Sequence, residues 1–170
     1  MGTVGQTAAA GVGEETAGDI RSEYLRALTL VERLHRQLLD VIKDELDRRG
    51  QSDINSVQAL LIFNIGDQEL TAGELRTRGH YLGSNVSYNL KKLVESGYIH
   101  HERSDVDRRS VRVSLTASGR EVRDVVTALY EHHLESIEPV GGITADDFNQ
   151  MNIALQRLER FWGDQIRYRL

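Results

Sequence analysis

The apolar residues of this chain change period between Gly97 and Leu115, and that change limits the possible folds most. Upstream, Tyr24, Leu28, Val31, Leu34, Leu38, Ile42 and Leu46 recur at three- and four-residue steps until Gly50, the spacing of one helix face. Downstream, Val122, Val125, Val126, Leu129, Tyr130, Leu134 and Ile137 repeat that spacing until Pro139, the single proline. In between, Val111, Val113 and Leu115 alternate with Arg112 and Ser114, the two-residue repeat of a half-buried strand, and residues 98–103 offer a partner strand. The expected fold class is mainly α with a small β wing.

The remaining elements follow from stop and start signals. A helix over 55–65 closes at Gly66. Thr71-Ala72-Gly73-Glu74 has the form of a capping box, in which Thr71 and Glu74 satisfy orphan amides at a helix start. That helix is short, because Gly79 and Gly83 interrupt it. Residues 84–96 form the next helix, with Val86, Leu90 and Leu93 on its inner face and Gly97 as its C-terminal cap. Thr116 caps the long helix that ends at Pro139. Thr144 starts a last helix carrying Phe148, Met151, Leu155, Leu158, Phe161, Trp162 and Ile166. Residues 1–18 hold five of the 15 glycines, show no periodicity and read as a floppy tail.

Several chemistries drop out. Hydrophobic residues are 39% of the 170, enough for a core, so wholesale disorder is excluded. The absence of cysteine excludes disulfide scaffolds, Cys-ligated zinc, iron–sulfur clusters and thiol nucleophiles. No apolar run approaches the ~20 residues of a membrane span, and the opening lacks the flank and core of a secretory signal. A soluble cytoplasmic protein is expected. No Walker loop, nucleophile elbow or His-Glu-x-x-His motif is present, so the chain is not expected to be an enzyme. The six histidines offer a weak case for metal. His132 and His133 fall on different sides of a helix, and His100 and His101 alternate across a strand, so no metal site is favoured.

The formal net charge is -5, unpromising for a nucleic-acid partner until its distribution is considered. Residues 73–112 carry eight bases against five acids, a local +3 within a remainder of -8. Short helix, turn, second helix, then a hairpin with a basic tip is the order of a helix-turn-helix followed by a wing. A three-turn helix fits the major groove of duplex DNA, and a thin charged hairpin reaches the neighbouring minor groove. On a helical wheel Ser84, Ser87, Tyr88, Lys91 and Glu95 face outward, flanked by Asn85 and Lys92. These hydroxyls, amide, phenol and ammoniums can read base edges and hold phosphates, and the helix N-terminus at Ser84 and Asn85 offers free amide donors.

Residues 70–122 resemble the winged helix-turn-helix core of the MarR-type transcriptional regulators. The resemblance is carried by Leu70-Thr71-x-x-Glu74-Leu75, Gly97-Tyr98-Ile99, Asp107-Arg108-Arg109 and Leu115-Thr116-x-x-Gly119-Arg120. It implies a homodimer whose N- and C-terminal helices interlock, and a winged helix from each protomer on half of a pseudo-palindromic operator. It also implies a small-molecule effector, often aromatic or anionic, bound between dimerisation helices and reading heads. No other cofactor is implied. Repression is the commoner outcome in such proteins, and activation stays open. By matching position, Ser84, Asn85, Ser87, Tyr88 and Lys91 lie at the major groove, with Lys92 beside them. Arg109, next to Arg108, enters the minor groove, and Asp107 fixes the arginines of the wing. Gly79 and Asn89 depart from the pattern, standing where the family commonly has apolar residues.

The expected organisation is a tail (1–18), an N-terminal dimerisation helix (19–50), a winged helix-turn-helix (51–115) and C-terminal dimerisation helices (116–170). Dimerisation also has independent support: Phe161, Trp162, Tyr168 and Leu170 exceed what a 53-residue winged core can cover. A monomer whose long helices pack on each other is the alternative. For function, the rival is a winged helix serving protein–protein contact without sequence-specific DNA binding, kept open by the overall acidity.

Overall fold

The computed structural model describes residues 19–71, 74–75, 83–103 and 111–168. Five helices and three short strands are assigned among them: α1 (Ile20–Arg48), α2 (Ser56–Ile65), β1 (Leu70–Thr71), α3 (Gly83–Glu95), β2 (Ile99–Arg103), β3 (Val111–Leu115), α4 (Ala117–Ser136) and α5 (Ala145–Tyr168). The fold is mainly α with a small sheet, as the period change requires. The chain divides into two compact units, residues 1–38 and 39–170.

In the first unit, the opening part of α1 keeps its apolar residues largely uncovered. Tyr24, Val31 and Leu34 are exposed, and Leu28 and Leu38 are half-buried. Of the seven-residue stripe, only Ile42 and Leu46 are fully buried, and both belong to the second unit. α1 ends where the sequence says it should. Gly50 adopts φ +74, the Gln51 amide donates to Leu46 O at 2.8 Å and the Gly50 amide to Asp47 O at 3.1 Å. These two bonds form a Schellman ending that satisfies the last carbonyls.

The second unit is built on a sheet of strand order β1-β3-β2, antiparallel throughout. The sequence announced a two-stranded hairpin; the structure adds β1, which pairs Leu70 with Val113 and Thr71 with Arg112. Two residues are too few to display a two-residue period, so β1 left no mark on the hydropathy pattern. Ile99, Val113 and Leu115 turn inward, meeting Ala59, Leu61, Ile62 and Ile65 of α2 and Val122, Val126 and Leu129 of α4 in the core.

Caps hold the helix starts. Asn55 Oδ1 accepts from the Gln58 amide at 2.9 Å while Gln58 Oε1 accepts from the Asn55 amide at 3.2 Å. The Thr71–Glu74 box forms as expected: the Glu74 amide donates to Thr71 Oγ1 at 3.1 Å and the Thr71 amide to Glu74 Oε2 at 2.7 Å. Gly79 lies outside the described residues. Thr116 caps α4, accepting from the Gly119 amide at 3.1 Å. Thr144 and Asp147 close the same reciprocal pair at the start of α5. Donation by the Thr144 hydroxyl, then by its amide, holds the Asp147 carboxyl below its usual range. No residue of α5 is buried, although it carries Met151, Leu155, Phe161 and Trp162.

Candidate nucleic-acid interface

α3 is amphipathic, and its orientation follows from two leucines. Leu90 and Leu93 enter the core at 7% and 1% exposure, so the opposite side faces solvent. Ser87, Tyr88, Lys91, Lys92 and Glu95 are all exposed, as the wheel anticipates, and Asn89 is half-buried. The side chains of Ser84, Asn85 and Val86 lie outside those described, though their backbone belongs to α3. The helix terminates in a second Schellman ending. Gly97 adopts φ +78, the Tyr98 amide donates to Leu93 O at 2.9 Å and the Gly97 amide to Val94 O at 3.0 Å.

The cations of this face are partly engaged within it. Lys92 Nζ lies 3.0 Å from Glu95 Oε2, and Lys91 Nζ lies 3.8 Å from Glu95 Oε1. Hydrogen bonding from Lys92 holds the Glu95 carboxyl below its usual range, and the same bond raises the Lys92 ammonium. Exposed pairs of this kind contribute little to stability and are readily exchanged. A phosphate oxygen can therefore take the place of the carboxylate.

The hairpin is fixed at its base. The pairs Ile99–Leu115, His101–Val113 and Arg103–Val111 run in register to the ends of β2 and β3. Residues 104–110 bridge those ends, and Asp107, Arg108 and Arg109 fall within them, outside the described residues. His100 and His101 occupy successive positions on β2, paired with Ser114 and Val113, and so take opposite faces.

Three features had no signal in the sequence. The Tyr98 hydroxyl donates to Asp53 Oδ2 at 2.7 Å across 45 residues. Arg123 of α4 pairs with Asp67 in the turn after α2. A cavity of about 420 Å³ opens between the end of α1 and α4, lined by Val41, Glu45, Arg48, Arg49, Leu129, His132, His133 and Ser136, among others. Within its lining the buried Glu45 carboxylate accepts from Arg49 Nε at 2.9 Å and pairs with Arg48 Nη2, also at 2.9 Å. A charge inside an apolar stripe is tolerated because two guanidiniums neutralise it.

Comparison with known proteins agrees with this geometry. The family model for the MarR family matches residues 52–110. The exopolysaccharide II synthesis transcriptional activator ExpG of Rhizobium meliloti (strain 1021) is 34% identical over 160 residues, covering 92% of this chain and 80% of the relative. Among solved structures, Streptococcus pneumoniae FabT in complex with DNA superposes with a TM-score of 0.62 at 25% identity, covering 83% of this chain and 98% of that one. A mutant of MarR from E. coli, complexed with operator DNA, gives a TM-score of 0.66 at 20% identity, covering 83% and 99%. Sequence and fold thus agree, and the chain belongs to the MarR family of winged-helix transcriptional regulators.

Proposed function

We propose that the chain acts in the cytoplasm as a homodimer that binds a pseudo-palindromic DNA operator, with α3 in the major groove and the hairpin tip in the minor groove. The observation that carries this reading is the exposed Ser87–Tyr88–Lys91–Lys92 face of a helix whose other side is pinned by Leu90 and Leu93. Ser87 and Tyr88 meet base edges; Lys91 and Lys92 exchange Glu95 for phosphates; Ser84 and Asn85 bring the positive end of α3 to the backbone. Arg109 enters the minor groove beside Arg108, with Asp107 holding the guanidiniums.

The dimer is supported by apolar surface that the folded chain leaves in water. On α5, Phe161 is 53% exposed and Trp162 38%, with Met151, Ile153 and Leu155 in the same condition. The opening of α1 adds Leu25, Leu30 and Leu34. A second copy covers such faces, and a two-fold dimer sets two reading helices one DNA turn apart. The residues divide accordingly into a tail (1–18), a reading unit (51–115) and dimerisation segments (19–50 and 116–170).

The cavity beside Glu45 is the place we assign to a small effector, which shifts affinity by favouring one separation of the reading heads. Repression is the outcome implied by the family at large. The 34% relative is named an activator, and it supports activation for this chain.

The test is enrichment of duplexes from a randomised pool by the full chain, followed by anisotropy titration at two salt concentrations. One dimer per enriched site is expected, with affinity falling by a log–log slope of about 0.9 per phosphate neutralised. No enrichment and no duplex affinity at low salt would overturn the reading in favour of a protein-interaction module.

A further inference from the structure

Tyr98 joins three parts of the winged unit. Its amide closes the Schellman ending of α3 on Leu93 O. Its carbonyl accepts from the Thr116 amide at 3.1 Å and from Thr116 Oγ1 at 3.0 Å, which ties it to the start of α4. Its hydroxyl reaches Asp53, three residues past the Gly50 that ends α1. Space at the junction is tight: a Cβ on Gly119 would stand 2.1 Å from the Tyr98 carbonyl oxygen. The side chain is 6% exposed, while Asp53 sits on the surface.

Packing alone does not call for the hydroxyl, because phenylalanine fills almost the same volume. What the hydroxyl adds is direction, since the ring is enclosed and, among the described residues, its O–H donates to Asp53. The carbonyl bonds fix where the backbone of residue 98 lies. The hydroxyl bond adds a second fixed point on the other side of the ring, at the segment leaving α1. Burial, then the bond to Asp53, pushes the phenol up to about 12, so it remains a donor at neutral pH.

We infer that the Tyr98–Asp53 hydrogen bond sets the angle of the reading helix α3 against the ends of α1 and α4, making both residues positioning residues for operator recognition. This inference rests on the DNA-binding reading above. A tilted α3 still offers Lys91 and Lys92 to phosphates but misaligns Ser87 and Tyr88 with base edges. Loss of the bond therefore lowers affinity for the selected site and leaves non-specific affinity where it was.

The experiment measures binding of Tyr98→Phe, Asp53→Ala and Asp53→Asn to the duplex that the wild type enriches and to a scrambled duplex of the same composition. Tyr98→Phe and Asp53→Ala are each expected to lose about three- to tenfold on the selected duplex and nothing on the scrambled one, the size of one hydrogen bond. The double variant should be no worse than either single one. Asp53→Asn keeps an acceptor oxygen and restores near wild-type discrimination, a rescue that a loss of general stability would not produce. Asp53 is exposed, so its variants report even if Tyr98→Phe folds poorly. Unchanged discrimination in Asp53→Ala while the wild type binds its selected duplex would overturn the positioning role alone. A wild type that selects no duplex would overturn the DNA-binding reading and this inference with it.

Discussion

Leu93 and Trp162 are each a large apolar residue on an amphipathic helix, and the fold treats them differently. Leu93 on α3 is 1% exposed, enclosed with Leu90 in the core that α2, α4 and the sheet complete. Trp162 on α5 is 38% exposed, and no residue of its 24-residue helix is buried. Similar sequence patterns thus serve two ends. In the winged unit the apolar face meets its partners within the chain, so folding alone satisfies it. On α5 the apolar face is left exposed by its own chain, and each Å² of apolar surface that a contact would cover is worth about 25 cal/mol. The difference separates residues that make the reading head from residues we assign to holding two heads together.

Leu93→Ala gives the largest expected effect. Truncating an enclosed leucine should cost about 2–5 kcal/mol of unfolding free energy, because the lost transfer energy is joined by that of the cavity left behind. Chemical denaturation of dilute protein measures it. A loss comparable to that of an exposed residue would mean that α3 is not anchored as described, and the contrast with α5 would collapse.

Trp162→Ala should act at the other end of the comparison. It is expected to weaken self-association by about 2–4 kcal/mol, the range for a central aromatic at an interface. It should barely change the unfolding of the winged unit. Sedimentation equilibrium reads the first quantity and denaturation at fixed low concentration the second. If Trp162→Ala destabilises the separated chain as Leu93→Ala does, α5 packs on its own chain and the dimer assignment fails.

How much of this was visible in the sequence depends on distance along the chain. Leu90, Leu93, Gly97 and Thr116 were legible because their roles are local: a helix face, a left-handed cap and an N-cap each complete themselves within a turn or two. The start of α2 is also local: Asn55, expected as the first residue of a helix over 55–65, is its N-cap and closes a capping box with Gln58, so the helix begins at Ser56. The Tyr98–Asp53 bond spans 45 residues and leaves no periodic trace. Glu45 stands where the stripe of α1 demands an apolar side chain. Its pairs with Arg48 and Arg49 are three and four residues away and follow from helical spacing, whereas its burial follows only from what packs over the end of α1. Of the seven residues that repeat at helical spacing in α1, only Ile42 and Leu46 are fully buried within the chain. Periodicity identifies an apolar face without saying what covers it. Of the proposed DNA contacts, the face of α3 follows from Leu90 and Leu93. Arg109 rests on the Asp-Arg-Arg motif and the Arg103–Val111 base of its hairpin.

Arg109→Ala separates reading from assembly more finely. Loss of a guanidinium from the minor groove should weaken operator binding by about 1–3 kcal/mol and leave self-association untouched. Trp162→Ala should show the converse, losing affinity for a full two-half-site duplex while keeping that for a single half-site. Anisotropy titrations on full and half-site duplexes distinguish them. Operator affinity unchanged in a folded Arg109→Ala dimer would remove that residue from the interface.

The smallest expected effect lies inside the covered unit, at Tyr98. Its hydroxyl titrates near 10 in an unfolded chain, and burial, reinforced by the bond to Asp53, pushes it up to about 12 in the folded one. Below pH 10 both states keep the proton, and the contribution of the protonated hydroxyl is intact. Between 10 and 12 the unfolded state releases the proton while the native state holds it, so stability falls as pH rises through that window. Lysines titrate across the same range, which makes the informative quantity the difference from Tyr98→Phe. Denaturation curves at pH 9 and pH 11.5 should show the wild type losing its advantage over the variant. Parallel losses in the two proteins would mean that the phenol is no better shielded than a surface tyrosine. In that case the junction joining α1, α3 and α4 would be held by backbone bonds and by the fit at Gly119 alone, with nothing added by the side chain.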